Sequence, residues 1–337
     1  MVKSIIFIIP YYGKFPPYFQ LWLDSCKYNP TIHWLIFTDI EESYNYPINV
    51  SVKKISFKEL KKYIQTKYDF TINLESPYKL CDYKPAYGEI FQEYISKYDY
   101  WGYCDIDLIW GNIKNFITDE LLEKSFDKIC NYGHCTLYKN TKENNQVYKT
   151  NLSGIPNYQQ VFSSPYNFCF DENHGIMLIY EQLNKNICNS IFCYDVKVRR
   201  YKFRPAWSMY PTYSFLQKKN GLFHKTKNNL YFIYLDNGKV KYEEFMYVHL
   251  QKRKMYLHKQ LKTNKTEYCI IPNKFIPSIN LTPNSINGTQ PPIWHIYWDL
   301  IKSEWKQKTD IIFNRPRTQL FYKGRFEKII NFILFRK

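Results

Sequence analysis

The sequence predicts a mixed α/β protein in which helices flank a sheet of buried strands. Residues 4–9 and 33–37 are two continuous apolar runs, a pattern typical of strands that are buried on both faces of a parallel sheet. Between them Pro17 opens a helical segment, so strand, helix and strand form a βαβ unit with a right-handed crossover. The aromatic run Tyr100–Cys104 predicts a further strand in the interior of the same sheet.

Other segments of the first 115 residues support this class. A strand is predicted at 51–55 and a lysine-rich helix at 57–67. A second helical stretch starts at Pro77 and restarts at Pro85, with apolar residues at helical spacing. Gly88 on this stretch predicts a close approach of the helix to the sheet.

The second half of the chain is predicted to contain short strands and loops. The predicted strands are 126–131, 136–138, 230–235, 240–245 and 245–250. An Asp-Asn-Gly turn at 236–238 joins two of them into a β-hairpin. Residues 272–292, which are rich in Pro, Asn and Ser, are predicted to form an irregular surface loop.

These segments suggest one domain at 1–260, built from halves at 1–115 and 116–260, followed by a loop-rich extension at 261–314. A tail at 315–337 completes the chain, with seven cations against one anion and interleaved apolar residues. That pattern fits an amphipathic helix lying in an anionic membrane interface. A helix that packs on the core and exposes a basic face explains the pattern equally well.

Composition and charge limit the classes of protein and partner. The 337 residues, 45% of them apolar, can bury a sizeable core. A net charge of +17 favours an anionic partner such as nucleic acid, a membrane face or a phosphorylated substrate. Nine cysteines without a Cys-x-x-Cys pair argue against a disulfide framework or a zinc site and favour a reducing cytosol. Without a signal peptide or an apolar run of roughly 20 residues, we expect a soluble or peripheral intracellular protein.

Two acids directly follow the predicted aromatic strand. Asp105 and Asp107 are separated by one residue, so in an extended segment their side chains point the same way. Two such carboxylates repel each other unless a cation lies between them, and their oxygens suit Mg²⁺ or Mn²⁺. A pair of loop aspartates, one of them capping a turn, is the simpler interpretation. The chain has neither a Gly-x-Gly-x-x-Gly nor a Walker motif, which argues against dinucleotide-binding and P-loop proteins.

Taken together, three loops resemble those of a GT-A fold glycosyltransferase, a Rossmann-like α/β fold. Pro10-Tyr11-Tyr12 follows the first strand, Asp39 follows the second, and the Asp-x-Asp pair follows a later one. The stretches 76–88 and 102–111 are similar to a bacterial family that is assigned to capsule and surface-polysaccharide assembly. The resemblance covers most of residues 4–255 and leaves the tail outside.

The resemblance implies a nucleotide-sugar donor, with a UDP-sugar favoured. In such enzymes the loop after the first strand, here Pro10 to Tyr12, holds the base. Tyr11 or Tyr12 would then stack on the base, and Asp39 would bind the base or the ribose. One tyrosine of the pair is equally well explained as a core residue.

The resemblance also implies a divalent metal, Mn²⁺ or Mg²⁺, that bridges the donor's diphosphate. Asp107 would bind the metal, Asp105 would reach the metal or the ribose, and His249 would supply a third ligand. Lys79 or Lys84, both ahead of the strand that leads to the acid pair, would contact phosphate. A hydrogen-bonded core residue explains His249 as readily as a metal ligand does.

The residues after His249 resemble the His-x-x-Gly-x-x-Lys tail motif of glycogenin-like transferases, which suggests Lys252 as a phosphate contact. This chain lacks the glycine and the full spacing of that motif, and a solvated turn explains Lys252 too. On the acceptor side, an inverting transferase needs a carboxylate base, for which Asp171 and Glu172 are candidates. A retaining enzyme needs none, and Asp171 is also explained as a turn cap. Gly133-His134 would line the acceptor cleft or end a strand.

The sequence therefore predicts a metal-dependent glycosyltransferase of the hexosyltransferase type, acting in bacterial surface-polysaccharide synthesis. Its acceptor would be a glycan or a lipid-linked oligosaccharide. The protein would be located in the cytoplasm or at the inner membrane face. One alternative is a basic, aromatic-rich nucleic-acid-binding protein, although no known nucleic-acid motif is present. Another is a catalytically inactive carbohydrate-binding relative.

Overall fold

The computed structural model of the chain describes residues 3–197, 202–251, 253–261 and 266–290. The basic tail at 315–337 and Lys252 lie outside the described residues, as does 291–314 of the predicted extension. Within the described residues the protein is mixed α/β, as predicted.

The helices and strands have the following bounds. The strands are β1 (Ile5–Pro10), β2 (Ile32–Thr38), β3 (Val50–Lys54), β4 (Tyr100–Cys104), β5 (Leu108–Trp110), β6 (Lys128–Tyr132), β7 (Cys135–Lys139), β8 (Ile187–Cys188), β9 (Cys193–Asp195), β10 (Gly221–Lys225), β11 (Leu230–Asp236), β12 (Lys239–Glu244), β13 (Tyr247–His249), β14 (Tyr256–Leu257), β15 (Tyr268–Ile271) and β16 (Lys274–Pro277). The α-helices are α1 (Phe19–Lys27), α2 (Phe57–Gln65), α3 (Leu80–Tyr83), α4 (Tyr87–Ile90), α5 (Gln92–Ile95), α6 (Asp119–Glu123), α7 (Lys142–Asn145), α8 (Tyr158–Ser163), α9 (Ile176–Gln182), α10 (Tyr210–Tyr213) and α11 (Pro283–Gly288). Short 3₁₀ helices are Pro77–Lys79, Lys84–Ala86, Ile113–Asn115, Val147–Lys149, Trp207–Met209, Ser214–Lys218 and Lys259–Leu261.

The main sheet has seven strands in the order β3-β2-β1-β4-β7-β6-β8. Strands β3, β2, β1 and β4 are parallel, whereas β7 runs antiparallel to both β4 and β6. The chain moves from β1 through β2 to β3 and then returns to place β4 on the other side of β1. The strand order therefore reverses between β1 and β4. At such a reversal the carboxyl ends of the two strands border a crevice that commonly binds ligands.

Strand β1 is buried on both faces, as its continuous apolar sequence predicts. Ile5 and Phe7 belong to one hydrophobic core, and Ile6 and Ile8 belong to the core on the opposite face of the sheet. Helix α1 contributes its buried side chains to the first core, while α2 to α5 contribute theirs to the second. The sheet is thus a rigid layer between two packed layers, which fixes the loops at its edge.

The helical stretch before β4 is broken into short pieces, as its two prolines predict. Pro85 lacks an amide hydrogen, so a continuous helix cannot pass through it without losing a hydrogen bond. Gly88 follows on α4, and a Cβ atom there would lie 2.5 Å from Cε2 of Trp101 in β4. The predicted close approach of helix and sheet is confirmed.

Two smaller sheets adjoin the main sheet. In one, β13 pairs antiparallel with β5 and parallel with β9, so that His249 lies beside Leu108 on one side and Asp195 on the other. The second has the order β12-β11-β10-β15-β16-β14 and contains the predicted hairpin of β11 and β12. The three-stranded sheet matters for function because it brings His249 next to the segment of the acid pair.

The prediction that 272–292 forms an irregular loop is wrong. This segment contains β16, which pairs antiparallel with β15 and buries Phe275, and it contains α11. Its polar residues have local structural roles: Asn273 takes a left-handed conformation with φ 67° in the hairpin turn, and Thr282 caps α11. None of the helices within the described ranges is long and apolar enough to cross a bilayer.

Candidate functional site

Two cavities meet at the carboxyl ends of β1 and β4. The first, of about 730 Å³, is bordered by the loop after β1 and by residues 251 and 253–256. The second, of about 700 Å³, is bordered by the β6–β7 turn and by the segment that carries Asp171. Six residues line both cavities, namely Tyr78, Cys81, Lys84, Asp105, Asp107 and Gln251. The predicted acid pair therefore lies at the junction of the cavities.

Backbone hydrogen bonds hold the acid pair between two neighbouring segments. The amide of Asp105 donates to the carbonyl of His134 at 2.9 Å, and the amide of Leu250 donates to the carbonyl of Asp107 at 2.9 Å. The ligand atoms of Asp105, Asp107 and His249 all lie within 4.8 Å of one another. The three residues predicted as metal ligands are thus brought together from positions far apart in the sequence.

The Asp107 carboxylate fits a cation site. Its Oδ1 atom is buried and makes no hydrogen bond to the described residues, and Nε2 of His249 lies 3.4 Å away. A buried carboxylate oxygen that accepts no hydrogen bond is costly. Carboxylates together with an imidazole are a donor set that Mn²⁺ accepts, so these three residues could hold a divalent ion.

His249 is oriented by a carboxylate that the sequence did not reveal. Its Nδ1 atom lies 2.9 Å from Oδ1 of Asp195, and the Gln251 side-chain amide donates to the same oxygen at 2.7 Å. Burial lowers the pKa of His249, but Asp107 and Asp195 more than reverse this and raise it to about 10. A histidine that binds a metal through one nitrogen and a carboxylate through the other is a common arrangement in metal sites.

His134 packs against one face of the His249 ring. The two imidazole rings stack with their centroids 3.9 Å apart, and burial lowers the pKa of His134 well below its usual range. His134, Asp195 and His249 form a second group whose possible ligand atoms lie within 4.8 Å of one another. Asp195 already accepts hydrogen bonds from His249 and Gln251. We therefore assign it the role of orienting His249 and not that of a metal ligand.

Lys84 connects the acid pair with the predicted catalytic segment. Its ammonium lies 2.9 Å from Asp105, donates to the carbonyl of Gly133 at 2.7 Å, and lies 3.3 Å from Asp171. Burial lowers the pKa of Lys84, but the carboxylates, Asp105 foremost, raise it well above its usual range. Lys84 is therefore a buried cation between two carboxylates and lines both cavities.

Lys79 is placed differently. Its ammonium lies 2.7 Å from Asp82 and donates to the carbonyl of Val161 at 2.8 Å in the protein interior, and Lys79 lines neither cavity. Asp82 in turn accepts hydrogen bonds from the amides of Phe168 and Phe170. The prediction of a phosphate contact at Lys79 is not supported, because this ion pair anchors the segment that leads to Asp171.

Asp171 and Glu172, the predicted bases, both line the second cavity but differ in exposure. Asp171 is 4% exposed, and burial raises its pKa to about 7 although Lys84 opposes the shift. Glu172 is exposed and lies over Gly133, where a Cβ atom would come within 2.7 Å of its Cγ. Lys84 links Asp171 to Asp105 of the acid pair, which makes Asp171 the better candidate for a general base.

Of the residues predicted to bind the nucleotide-sugar, some line the first cavity and one lies on the surface. Pro10, Tyr11 and Tyr12 line the first cavity, where the half-buried Tyr11 stacks on Phe15 with centroids 5.1 Å apart. Tyr12 belongs to the hydrophobic core, as predicted for one of the pair. Asp39 is exposed and lines neither cavity.

The first cavity also contains cations that the sequence analysis did not single out. Lys14, Arg253 and Lys254 line it together with Lys84. Arg253 is held in place by a hydrogen bond from Nη1 to Oδ1 of Asn273 at 2.8 Å. The cluster of basic residues after His249 was the only signal for Arg253 and Lys254 in the sequence.

A comparison with known families adds one finding. A family model described as a family of unknown function (DUF6625) matches residues 7–279, which include every described residue of the two cavities. A search of the curated proteins finds no match to the chain.

Proposed function

We propose that this chain, which belongs to the DUF6625 family, is a metal-dependent glycosyltransferase with a GT-A-like fold. It would transfer a sugar from a nucleotide-sugar donor to a glycan or lipid-linked acceptor. The observation that carries the proposal is that two cavities meet at Asp105 and Asp107, where the strand order of the sheet reverses. A transferase needs such a pair of sites, because donor and acceptor must be held on either side of the bond that breaks.

The first cavity suits the donor. Tyr11 offers an aromatic face at the end of β1 for a nucleobase. Lys14, Arg253 and Lys254 supply positive charge for a diphosphate, since lysine and arginine are the usual partners of phosphate oxygens. A UDP-sugar is the favoured donor by resemblance.

The acid pair and His249 would hold Mn²⁺ or Mg²⁺. When bound, such an ion acts as a Lewis acid that neutralises charge on the leaving nucleoside diphosphate. Asp195 would keep Nε2 of His249 directed towards Asp107, since Nδ1 lies 2.9 Å from Asp195. Lys84, at 2.9 Å, would hold Asp105 in place beside the ion.

The second cavity suits the acceptor, with Asp171 as the general base of an inverting transfer. Asp171 would take the proton of the acceptor hydroxyl as its oxygen bonds to the anomeric carbon of the donor sugar. The bond between that carbon and the diphosphate breaks, and its electrons leave with the nucleoside diphosphate. A pKa of about 7 suits a base that works near neutral pH.

We further propose that the protein acts in the cytoplasm or at the inner membrane face, in surface-polysaccharide synthesis. The alternative prediction, a nucleic-acid-binding protein, can be tested separately. A titration of RNA or DNA binding against salt tests it, because such binding weakens steeply as salt rises.

A thermal-shift screen tests the proposed function directly. Nucleoside diphosphates at about 100 times their Kd, with Mn²⁺, are expected to stabilise the protein by about 2.7 kcal/mol and to raise Tm by several degrees. Asp107→Asn should abolish the Mn²⁺-dependent part of this shift. Asp69→Asn is the matched control, because Asp69 is exposed and lines neither cavity. The proposal fails if no nucleotide shifts Tm, or if both variants respond like the natural protein.

A further inference from the structure

The two cavities differ in charge. The first is lined by Lys14, Arg253 and Lys254 as well as by Lys84, and its only carboxylates among the described residues are those of the acid pair. The second is lined by five carboxylates and, within the described ranges, by one lysine. Its carboxylates are Asp105, Asp107, Asp171, Glu172 and Asp195.

The single lysine of the second cavity already has partners. Lys84 lies 2.9 Å from Asp105 and 3.3 Å from Asp171, and it donates to the carbonyl of Gly133. His249 is likewise shared between Asp107 and Asp195. A divalent ion and a sugar-nucleotide diphosphate bring two opposite charges each, so their arrival supplies no spare cation to this cavity. Among the described residues, an anionic group that entered the second cavity would find carboxylates without a spare cation.

Neutral hydrogen-bonding side chains complete the wall of this cavity. Asn131, Asn167 and Ser208 line it. Oδ1 of Asn131 and Nδ2 of Asn167 are buried without a hydrogen-bond partner among the described residues, so one acceptor and one donor are unsatisfied. Sugar hydroxyls match both atoms in chemical kind, because a hydroxyl donates one hydrogen bond and accepts others. The ring of Tyr132, stacked on His134 with centroids 5.2 Å apart, adds an aromatic surface.

We propose that the second cavity takes an uncharged, hydroxyl-bearing sugar and rejects acceptors with a phosphate or carboxylate on the reacting residue. This inference rests on the proposed function and specifies its acceptor. It implies that the chain extends an existing neutral sugar, and that it does not place the first sugar on a lipid phosphate. An earlier transferase must then supply an acceptor whose terminal sugar is neutral.

Matched pairs of small glycosides test the inference. Methyl glycosides of the common hexoses, N-acetylhexosamines and 6-deoxyhexoses are titrated calorimetrically into the full chain with Mn²⁺ and UDP. Each hexoside is compared with its uronic acid and its 6-phosphate, which add one charged group to the same ring. We expect saturable binding of at least one neutral glycoside and at least tenfold weaker binding of its charged counterparts. Equal or tighter binding of a charged counterpart overturns the inference, as does a panel in which no neutral glycoside binds.

Two glutamate variants test whether the carboxylates of the second cavity cause the preference for neutral glycosides. Glu172→Gln removes one exposed carboxylate of the second cavity and should reduce the preference for the neutral glycoside about threefold or more. Glu123→Gln is the control, since Glu123 is exposed on α6 and lines neither cavity. An equal preference in both variants would place the discrimination elsewhere and overturn the role given to the cavity.

The same samples separate this inference from the proposed function. If nucleotide and Mn²⁺ raise Tm while charged glycosides bind as well as neutral ones, the acceptor inference alone fails. If neutral glycosides bind selectively but no nucleotide shifts Tm, the glycosyltransferase proposal fails, and the second cavity is still a neutral-sugar site.

Discussion

Nδ1 of His249 lies 2.9 Å from Oδ1 of Asp195, although the two residues are 54 positions apart in the sequence. The pairing of β13 with β9 sets this contact, because it places His249 directly beside Asp195. With Nδ1 occupied, Nε2 is the nitrogen that faces Asp107. A single hydrogen bond thus selects which nitrogen of His249 is presented to the acid pair.

Asp195→Asn is therefore expected to weaken Mn²⁺ binding by about 10- to 100-fold, the usual cost of losing such an outer hydrogen bond. Calorimetric titration of Mn²⁺ into the protein without nucleotide measures the effect. Asp69→Asn should bind Mn²⁺ like the natural protein. Unchanged affinity in Asp195→Asn would show that Asp195 does not orient the ligand.

Mn²⁺ binding is expected to release a proton at neutral pH. The pKa of His249 is raised to about 10, so this side chain is protonated below that pH when no metal is bound. A metal must displace it from Nε2, so the apparent affinity should rise about tenfold per pH unit up to about pH 10. Calorimetry in two buffers of different ionisation enthalpy counts the protons released. His249→Gln should abolish the release, whereas His258→Gln, at a residue that lines neither cavity, should retain it. A pH-independent affinity would contradict the assignment.

Turnover is expected to depend on Asp171 through its protonation. Burial raises its pKa to about 7, so the carboxylate is ionised and able to accept a proton only above that pH. The value of kcat/KM should therefore rise with pH through about 7 and level off above it. Asp171→Asn should lose about 10²- to 10⁴-fold in kcat while keeping the nucleotide-dependent shift in Tm. Turnover close to that of the natural protein in this variant would remove Asp171 from the role of base.

The parts of the fold that the sequence predicted well are those encoded by local patterns. Strands β1, β2 and β4 are continuous apolar or aromatic runs, and the hairpin of β11 and β12 has a turn with a strong local preference. Strand β16 was missed because its sequence contains one fully buried apolar residue, Phe275, among turn and capping residues. Composition alone could not distinguish this short strand from a loop.

The site was predictable only where a motif is continuous in sequence. Asp105 and Asp107 follow a recognisable strand, so their position at the sheet edge could be inferred. Asp195 could not be found in this way, because it ends a strand of three residues and meets His249 only through the pairing of β9 with β13. Lys84 was predicted as a phosphate contact, but its place between Asp105 and Asp171 depends on how the broken helix packs.

The ion pair of Lys79 and Asp82 is expected to stabilise the fold without contributing to ligand binding. Both side chains are buried, and Asp82 also holds the amides of Phe168 and Phe170. Lys79→Met would leave a buried carboxylate without its cation, which costs about 3–5 kcal/mol in the free energy of unfolding. Lys61→Met, which breaks the partly exposed pair with Glu75, should cost less than about 1 kcal/mol. Urea unfolding of both variants measures the difference, and similar midpoints would mean that Asp82 finds other partners when Lys79 is removed.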